Sequence, residues 1–127
     1  MQPPILEIID LHKTFGALEV LKGVSFAAQP GTRTVAGELG DAVAKVLRTP
    51  PEALEFTCAG RTDSGVHGWG QVVSIPVVAG TGSGIDADRV ARSVNSMLGP
   101  EVVVRDASWV DVGFDARRWA TWRSYRY

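Results

Sequence analysis

The sequence predicts an α+β fold in which an antiparallel sheet carries two helices on one face. Two stretches repeat their apolar residues at helical spacing, and short β-branched or alternating runs lie before, between and after them. The predicted order is strand, strand, helix, strand, strand, helix, strand, strand. With the first strand taken as an extra N-terminal strand, the remaining order is the ferredoxin-like, split βαβ plan.

The N-terminal residues predict two antiparallel strands. Ile5–Leu11 is β-branched and partly alternating, and Val20–Phe26 alternates again after a connection that contains Gly16. We interpret Ile5–Leu11 as the addition and Val20–Phe26 as the strand that opens the split βαβ order.

The first helix is bounded by a capping residue and by prolines. Thr34 is an N-cap residue type, and the helical pattern runs to about Arg48, before Pro50-Pro51 stops it. Gly37 and Gly40 weaken this helix by up to about 1 kcal/mol each. We therefore expect it to depend on the packing of its apolar stripe.

A second amphipathic helix begins near Asp86 and ends at Gly99-Pro100. The glycine-rich run before it, residues 79–84, lacks the spacing of a dinucleotide-binding loop and predicts a flexible linker. The remaining strands are predicted at Leu54–Thr57, Val72–Val78, Glu101–Arg105 and about Arg117–Tyr127.

Composition bounds the class of protein. A chain of 127 residues that is 45% hydrophobic predicts one globular domain. Its net charge of −1 gives no overall attraction for nucleic acid, so such binding would need a local basic patch. The single cysteine, Cys58, excludes an internal disulfide and a cysteine metal cluster. The N-terminus lacks a signal-peptide pattern and no apolar run reaches membrane-span length, so we expect a soluble, cytoplasmic protein.

A polar stretch between two predicted strands, Cys58–His67, is the most distinctive part of the chain, and we call it the central loop. On residue types alone it is a hairpin turn in which Asp63 hydrogen-bonds its own backbone and Arg61 forms a surface ion pair. The alternative is a functional site. Glycines allow another molecule to approach the backbone closely, and the loop can then present a carboxylate beside a guanidinium at the end of a strand. His67 is assigned no catalytic role.

The order of residues in the central loop is more specific than their types. Gly60–His67, followed by Gly70-Gln71-Val72, resembles the signature of the tRNA pseudouridine synthase A family. The resemblance covers about Gln29–Tyr127. Further matching pieces are Gln29–Gly31, Arg33–Val35, Gly37–Leu39, Asn95–Leu98, Val104-Arg105, Gly113–Arg117 and Arg123–Tyr127.

The resemblance implies a reaction and three site residues. Asp63 corresponds to the catalytic aspartate, Arg61 to the arginine that helps to evict the target nucleotide, and Tyr125 to the tyrosine that packs against the aspartate and the base. The implied reaction is isomerisation of uridine to pseudouridine in the anticodon arm of tRNA, with no cofactor and no metal. Without the resemblance, Tyr125 reads equally well as a core tyrosine on the last strand.

The N-terminal segment carries a different resemblance. Ile5–Phe26 is similar to the opening hairpin of an ABC transporter ATP-binding subunit, in which an aromatic near Phe15 would stack on adenine. The phosphate-binding sequence G-x-x-x-x-G-K-[ST] is absent from the chain, so we interpret this segment as structural. We therefore expect an ABC-like hairpin over 1–28 packed onto a synthase-like domain over 29–127.

Two departures from the family limit the expected activity. The residues that usually line the cleft in the family's first strand are missing, and family members are about twice this length. We therefore expect a truncated chimera that is feeble or inactive alone. The alternative is a folded chimera without catalysis.

Phe114–Tyr127 is the concentrated basic region of the sequence, and we call residues 114–126 of it the C-terminal segment. Arginines alternate there with aromatics, against one acid, Asp115. That composition suits contact with an RNA backbone and unstacked bases. It suits equally an edge strand with solvated arginines, through which two copies would pair as a homodimer.

Overall fold

The computed structural model describes residues 5–13, 33–62, 66–78, 80–82 and 84–126. Two helices, α1 and α2, and four strands, β1 to β4, form the framework, with a short 3-10 turn at Pro51–Ala53. The strands are β1, Ile5–Lys13; β2, Thr57–Cys58; β3, Gln71–Pro76; and β4, Val102–Val110. The helices are α1, Val35–Leu47, and α2, Ala87–Leu98. Neither helix is long and apolar enough to cross a membrane.

The predicted α+β class is confirmed. The four strands form one sheet in the order β2-β3-β1-β4, and every neighbouring pair is antiparallel. Chain order β-α-β-β-α-β with this strand order is the split βαβ plan. The buried residues of both helices belong to one core cluster with those of β3 and β4. The helices therefore share one face of the sheet.

The interpretation of the first strand as an addition is wrong. Ile5–Lys13 lies between β3 and β4, where it pairs with both, so it is the strand that opens the split βαβ order. The sequence did not reveal this because Ile5–Leu11 and Val20–Phe26 both alternate. Val20–Phe26, predicted for this role, lies outside the described residues, as does Phe15.

The strand predicted over Arg117–Tyr127 is also wrong for residues 117–126, which form turns and irregular backbone. The cause is local. The Asp115 carboxylate accepts hydrogen bonds from the backbone N–H groups of Arg117 at 2.9 Å and Arg118 at 2.8 Å. The N–H of Trp119 then donates to the Asp115 carbonyl at 2.9 Å. These bonds curl the chain before a strand can form.

The first helix follows the sequence closely. The Thr34 hydroxyl accepts from the N–H of Gly37 at 3.0 Å, and the helix ends at Arg48 in a left-handed conformation. Gly40 has a packing reason, since a Cβ there would lie 3.2 Å from the Phe56 ring. The glycine that weakens α1 thus lets the segment before β2 approach it closely.

The outer edge of the sheet at β4 is covered by a side chain from α2. The Asn95 amide donates to the Val104 carbonyl and accepts from the Val104 N–H, both at 2.7 Å. Val104 faces β1 on its other side, where it pairs with Leu11. Asn95 therefore takes the place of a strand partner at an edge that would otherwise be unpaired.

We expect Asn95→Ala to destabilise the fold by about 2 kcal/mol, because two partly buried backbone groups lose their partners. Urea unfolding followed by circular dichroism measures this change. Ser96→Ala, at the exposed neighbouring position, is the matched control and should change stability by less than about 0.5 kcal/mol. Equal unfolding midpoints for the two variants would contradict the role given to Asn95.

Candidate functional site

The central loop is fixed at the sheet by one glutamine. The N–H of Ala59 donates to the Val72 carbonyl at 2.9 Å, which extends the pairing of β2 with β3. The Gln71 amide then donates to the Gly60 carbonyl at 2.6 Å and accepts from the Gly60 N–H at 3.3 Å. These bonds hold Gly60 against the start of β3, so the loop leaves the sheet in a defined direction.

The C-terminal segment lies against the face of the sheet opposite the helices. Val73 and Ile75 of β3 point into the helix-covered core, so the side chain of Ser74 between them points the other way. Ser74 is nevertheless only 2% exposed, and its hydroxyl accepts from the buried N–H of Ala116 at 3.1 Å. The chain around Ala116 therefore covers this face of β3.

Arg123 joins the C-terminal segment to the central loop. Its Nε donates to the Ala59 carbonyl at 2.9 Å, and one terminal nitrogen of the same guanidinium donates to the same oxygen. The guanidinium also lies close to Gly60, where a Cβ would be 3.5 Å from Nε. The segment thus reaches from the middle of β3 to the loop that follows β2.

The structure treats the three predicted site residues differently. Asp63 lies outside the described residues. Arg61 is exposed, and it directly follows Gly60, which is hydrogen-bonded to Gln71. Tyr125 is 70% exposed, so it is not the core tyrosine that the alternative required.

Arg61 and Tyr125 are brought into the same region of the molecule. Each lies two residues from an end of the hydrogen bond between Arg123 and Ala59. Within the described residues, no hydrogen bond joins Arg61 to Tyr125. The hydrogen bonds between the two segments come from Arg123, whereas Gln71 fastens the central loop and Ser74 fastens the C-terminal segment to β3. The role of Gln71 could have been suspected from the sequence, since Gln71 belongs to the signature that includes the central loop.

Two arginines influence the electrostatics of the only cysteine. Burial raises the pKa of the half-buried Cys58 thiol, and the positive charges of Arg61 and Arg117 oppose that rise. The guanidinium predicted for the site and one from the C-terminal segment therefore both act on this thiol. Cys58 reports on the electrostatics of the region.

Exposed aromatic rings accompany the arginines. In the C-terminal segment Trp122 is 77% and Trp119 60% exposed, and Trp119 packs edge to face on Phe114 with ring centroids 5.5 Å apart. Trp69, just after the central loop, is 74% exposed. Large exposed rings beside guanidinium groups can stack on unpaired bases while the cations contact phosphates.

The described residues thus form a split βαβ domain with exposed arginines and aromatic rings beside the central loop. No family model matches the chain. Curated proteins named tRNA pseudouridine synthase A do match it: 38% identity for that of Leifsonia xyli subsp. xyli, 40% for that of Cutibacterium acnes and 39% for that of Bacillus subtilis. Each alignment covers 80% of this chain but 40%, 35% and 39%, respectively, of the relative.

The chain therefore spans between 30% and 40% of the length of the curated relatives that it matches. These relatives support the synthase part of the predicted resemblance. They give no support to the ABC transporter part, and the division into 1–28 and 29–127 stays a prediction. The roles of Asp63, Arg61 and Tyr125 also stay predictions.

We expect Ser74→Ala to release the C-terminal segment from the sheet. The variant leaves the buried N–H of Ala116 without a partner, which costs about 1–3 kcal/mol. Limited trypsin digestion should then cut after Arg117, Arg118 and Arg123 faster than in the parent chain. Ser74→Thr keeps the hydroxyl and is the matched control. If Ser74→Ala is cut no faster than Ser74→Thr, the anchoring role is wrong.

We expect Cys58 to react with iodoacetamide at a higher pH than an unfolded cysteine, because burial raises the pKa of its thiol and the thiolate is the reactive form. The rate profile of the urea-unfolded chain, with a midpoint near about 8.5, gives the reference. Arg117→Ala should shift the folded profile further upward by removing a nearby positive charge. Arg118→Ala is the control. A folded profile that coincides with the unfolded one would contradict the assignment.

Proposed function

We propose that this chain acts in the isomerisation of uridine to pseudouridine in the anticodon arm of tRNA. The observation that carries the proposal is identity of about 40% over four-fifths of the chain to proteins named tRNA pseudouridine synthase A. The described residues around the central loop support it, because they combine guanidinium groups and exposed rings beside the loop that contains Asp63. The proposal concerns a chain that spans between 30% and 40% of the length of such relatives.

The proposed chemistry needs one carboxylate. The bond from the ribose to N1 of uracil breaks, the base turns, and the ribose bonds to C5, which loses a proton to water while N1 gains a proton. We assign Asp63 as the group that acts on the sugar or base during this exchange. Arg61, next but one to it, would keep that carboxylate ionised in a partly dry site.

The target base must also leave its stack, which costs a few kcal/mol. We assign Tyr125 as a ring against which the displaced base packs, and its exposure suits that role. Arg61 would help to hold the nucleotide in its displaced position. Gln71 and Arg123 are positioning residues, because they fix the chain on either side of Gly60.

A second candidate is RNA binding without catalysis, together with the folded, non-catalytic chimera expected from the sequence. The exposed arginines and tryptophans of the C-terminal segment favour RNA binding specifically. This candidate predicts tRNA affinity that falls with salt and is unchanged in Asp63→Asn. The homodimer was predicted to form through an edge strand over the last residues, and residues 117–126 do not form that strand. The homodimer itself stays a prediction, which light scattering tests. A tRNA substrate is consistent with the cytoplasmic location that the sequence predicts.

We expect Asp63→Asn to abolish release of tritium from tRNA labelled at C5 of uridine, by at least about 100-fold, because the reacting carboxylate is lost. Release measures the reaction directly, since C5 gives up its hydrogen when it bonds to the ribose. Asp41→Asn, an exposed position in the middle of α1, is the matched control and should keep the parent rate.

The parent chain is expected to be slower than the longer Bacillus subtilis relative. Release that survives Asp63→Asn would disprove the assignment of Asp63. A parent chain that binds tRNA but releases no tritium would favour binding without catalysis.

A further inference from the structure

A second basic surface lies on the helical side of the molecule, away from the central loop. It is a groove of about 730 Å³ between the end of α1 and the first half of α2. Lys45 lies in α1, Arg48 is its C-cap, Arg89 and Ser93 lie in α2, and Thr81 lies in the turn before α2. Among the described residues, those that line the groove include no carboxylate.

One wall of the groove is the turn before α2, which is held by backbone hydrogen bonds and by packing. The Thr81 N–H donates to the Val78 carbonyl and the Ile85 N–H donates to the Gly82 carbonyl, at 2.9 and 2.8 Å. Gly82 has a φ of +65°, and a Cβ there would lie 2.7 Å from a methyl carbon of Leu47. The Ile85 carbonyl in turn accepts from the indole of Trp109 on β4 at 3.1 Å. The turn predicted as a flexible linker is thus packed, at its described residues, against α1 and the sheet.

In the part of the chain that the structure describes, no ion pair joins a carboxylate to the three cations of the groove. Within the described residues, the ion pairs join Arg33 to Glu38 and Arg118 to Asp115, so none includes a groove cation. Lys45 does lower the pKa of Glu38 electrostatically, but that carboxylate accepts a 2.8 Å hydrogen bond from Arg33. In a chain with a net charge of −1, three cations around one groove are a local concentration of positive charge.

Arg48 occupies a backbone position that another residue would take at lower cost. It has a φ of +55° and ends α1, where glycine adopts the left-handed conformation without strain. An arginine there costs about 1 kcal/mol relative to glycine. Arg48, like Lys45, lines the groove. The backbone conformation therefore does not account for an arginine at this position, whereas a role for its positive charge in the groove would.

We propose that this groove binds phosphate groups of an RNA backbone at a site separate from the central loop. Lys45, Arg48 and Arg89 supply the charge, and Thr81 and Ser93 supply hydroxyl donors, which is the donor set that RNA phosphates accept. The groove lies at the other end of the sheet from the central loop. β3 starts just after that loop and ends just before the turn, residues 80–82 and 85, that lines the groove. The six residues of β3 span about 20 Å.

The choice of RNA as the source of the phosphate rests on the proposed function, whereas the phosphate chemistry of the groove does not. Free phosphate or pyrophosphate would satisfy the same donors. A small anion would occupy the groove alone, but a polynucleotide would also contribute a salt-dependent affinity that scales with the number of cations.

The test measures the affinity of the whole chain for fluorescent tRNA by anisotropy at several salt concentrations. The combined variant Lys45→Gln, Arg48→Gly and Arg89→Gln should bind at least about tenfold more weakly at low salt, and the slope of log affinity against log salt should fall by about 2. Arg92→Gln, an exposed α2 residue outside the groove lining, should stay within about twofold of the parent.

Arg48→Gly alone separates binding from folding. It removes one charge and relieves the left-handed backbone, so its thermal unfolding midpoint should not fall while its tRNA affinity does. A loss of affinity equal to that of Arg92→Gln would overturn the groove as a binding site.

A second arm follows the amide resonances of Thr81 and Gly82 while pyrophosphate is added. If pyrophosphate shifts them but the combined variant binds tRNA like the parent, RNA as the ligand is overturned. If neither ligand distinguishes the combined variant from Arg92→Gln, the whole proposal is overturned. These readouts are affinities, so a failure of Asp63→Asn to stop tritium release would refute the proposed function without affecting them.

Discussion

The hydrogen bond from the N–H of Ala116 to the hydroxyl of Ser74 determines how the two halves of the candidate site meet. β3 is paired on both edges and covered by helices on one face, so Ser74 could be buried only by something on the other face. The C-terminal segment provides that cover. Once Ala116 is fixed, Arg123 can reach the Ala59 carbonyl, and the arginines and aromatics are held beside the central loop.

The helices were predictable because their signals are local. Thr34 and the proline pair bound α1, and Gly99-Pro100 closes α2, so each helix in the structure agrees with its predicted limits to within about a residue. The central strand was not predictable in the same way. Two segments before α1 alternate, and only pairing with β3 and β4, strands more than 50 residues away in sequence, decides that Ile5–Lys13 enters the sheet.

The last predicted strand failed for a different reason. Its alternation of arginines and aromatics satisfied a strand pattern, but Asp115 competes for the backbone N–H groups at the start of that stretch. A side chain that caps a turn acts within three residues, whereas a strand needs a partner along its length. Local hydrogen bonding therefore prevailed over the pattern.

The candidate site also has parts that local sequence predicts and parts that depend on contacts between distant residues. The position of the central loop and the presence of Gln71 could be predicted, because both belong to one short stretch. The anchors could not, since Ser74 and Ala116 are 42 residues apart and Ala59 and Arg123 are 64 residues apart. A serine inside an apolar strand and an arginine among other arginines give no sign of such partners. Only the folded sheet brings them together.

The placement of charge carries more functional information than its total. With nearly balanced charge, attraction to a polyanion must come from separate surfaces, here the C-terminal segment and the groove between the helices. β3 runs from the central loop towards the groove, and its six residues alone span about 20 Å, which exceeds the Debye length of about 8 Å at physiological salt. The two surfaces therefore act as independent contacts whose contributions add. Only a ligand long enough to span that distance can use both, and a folded RNA has that length whereas a nucleotide does not.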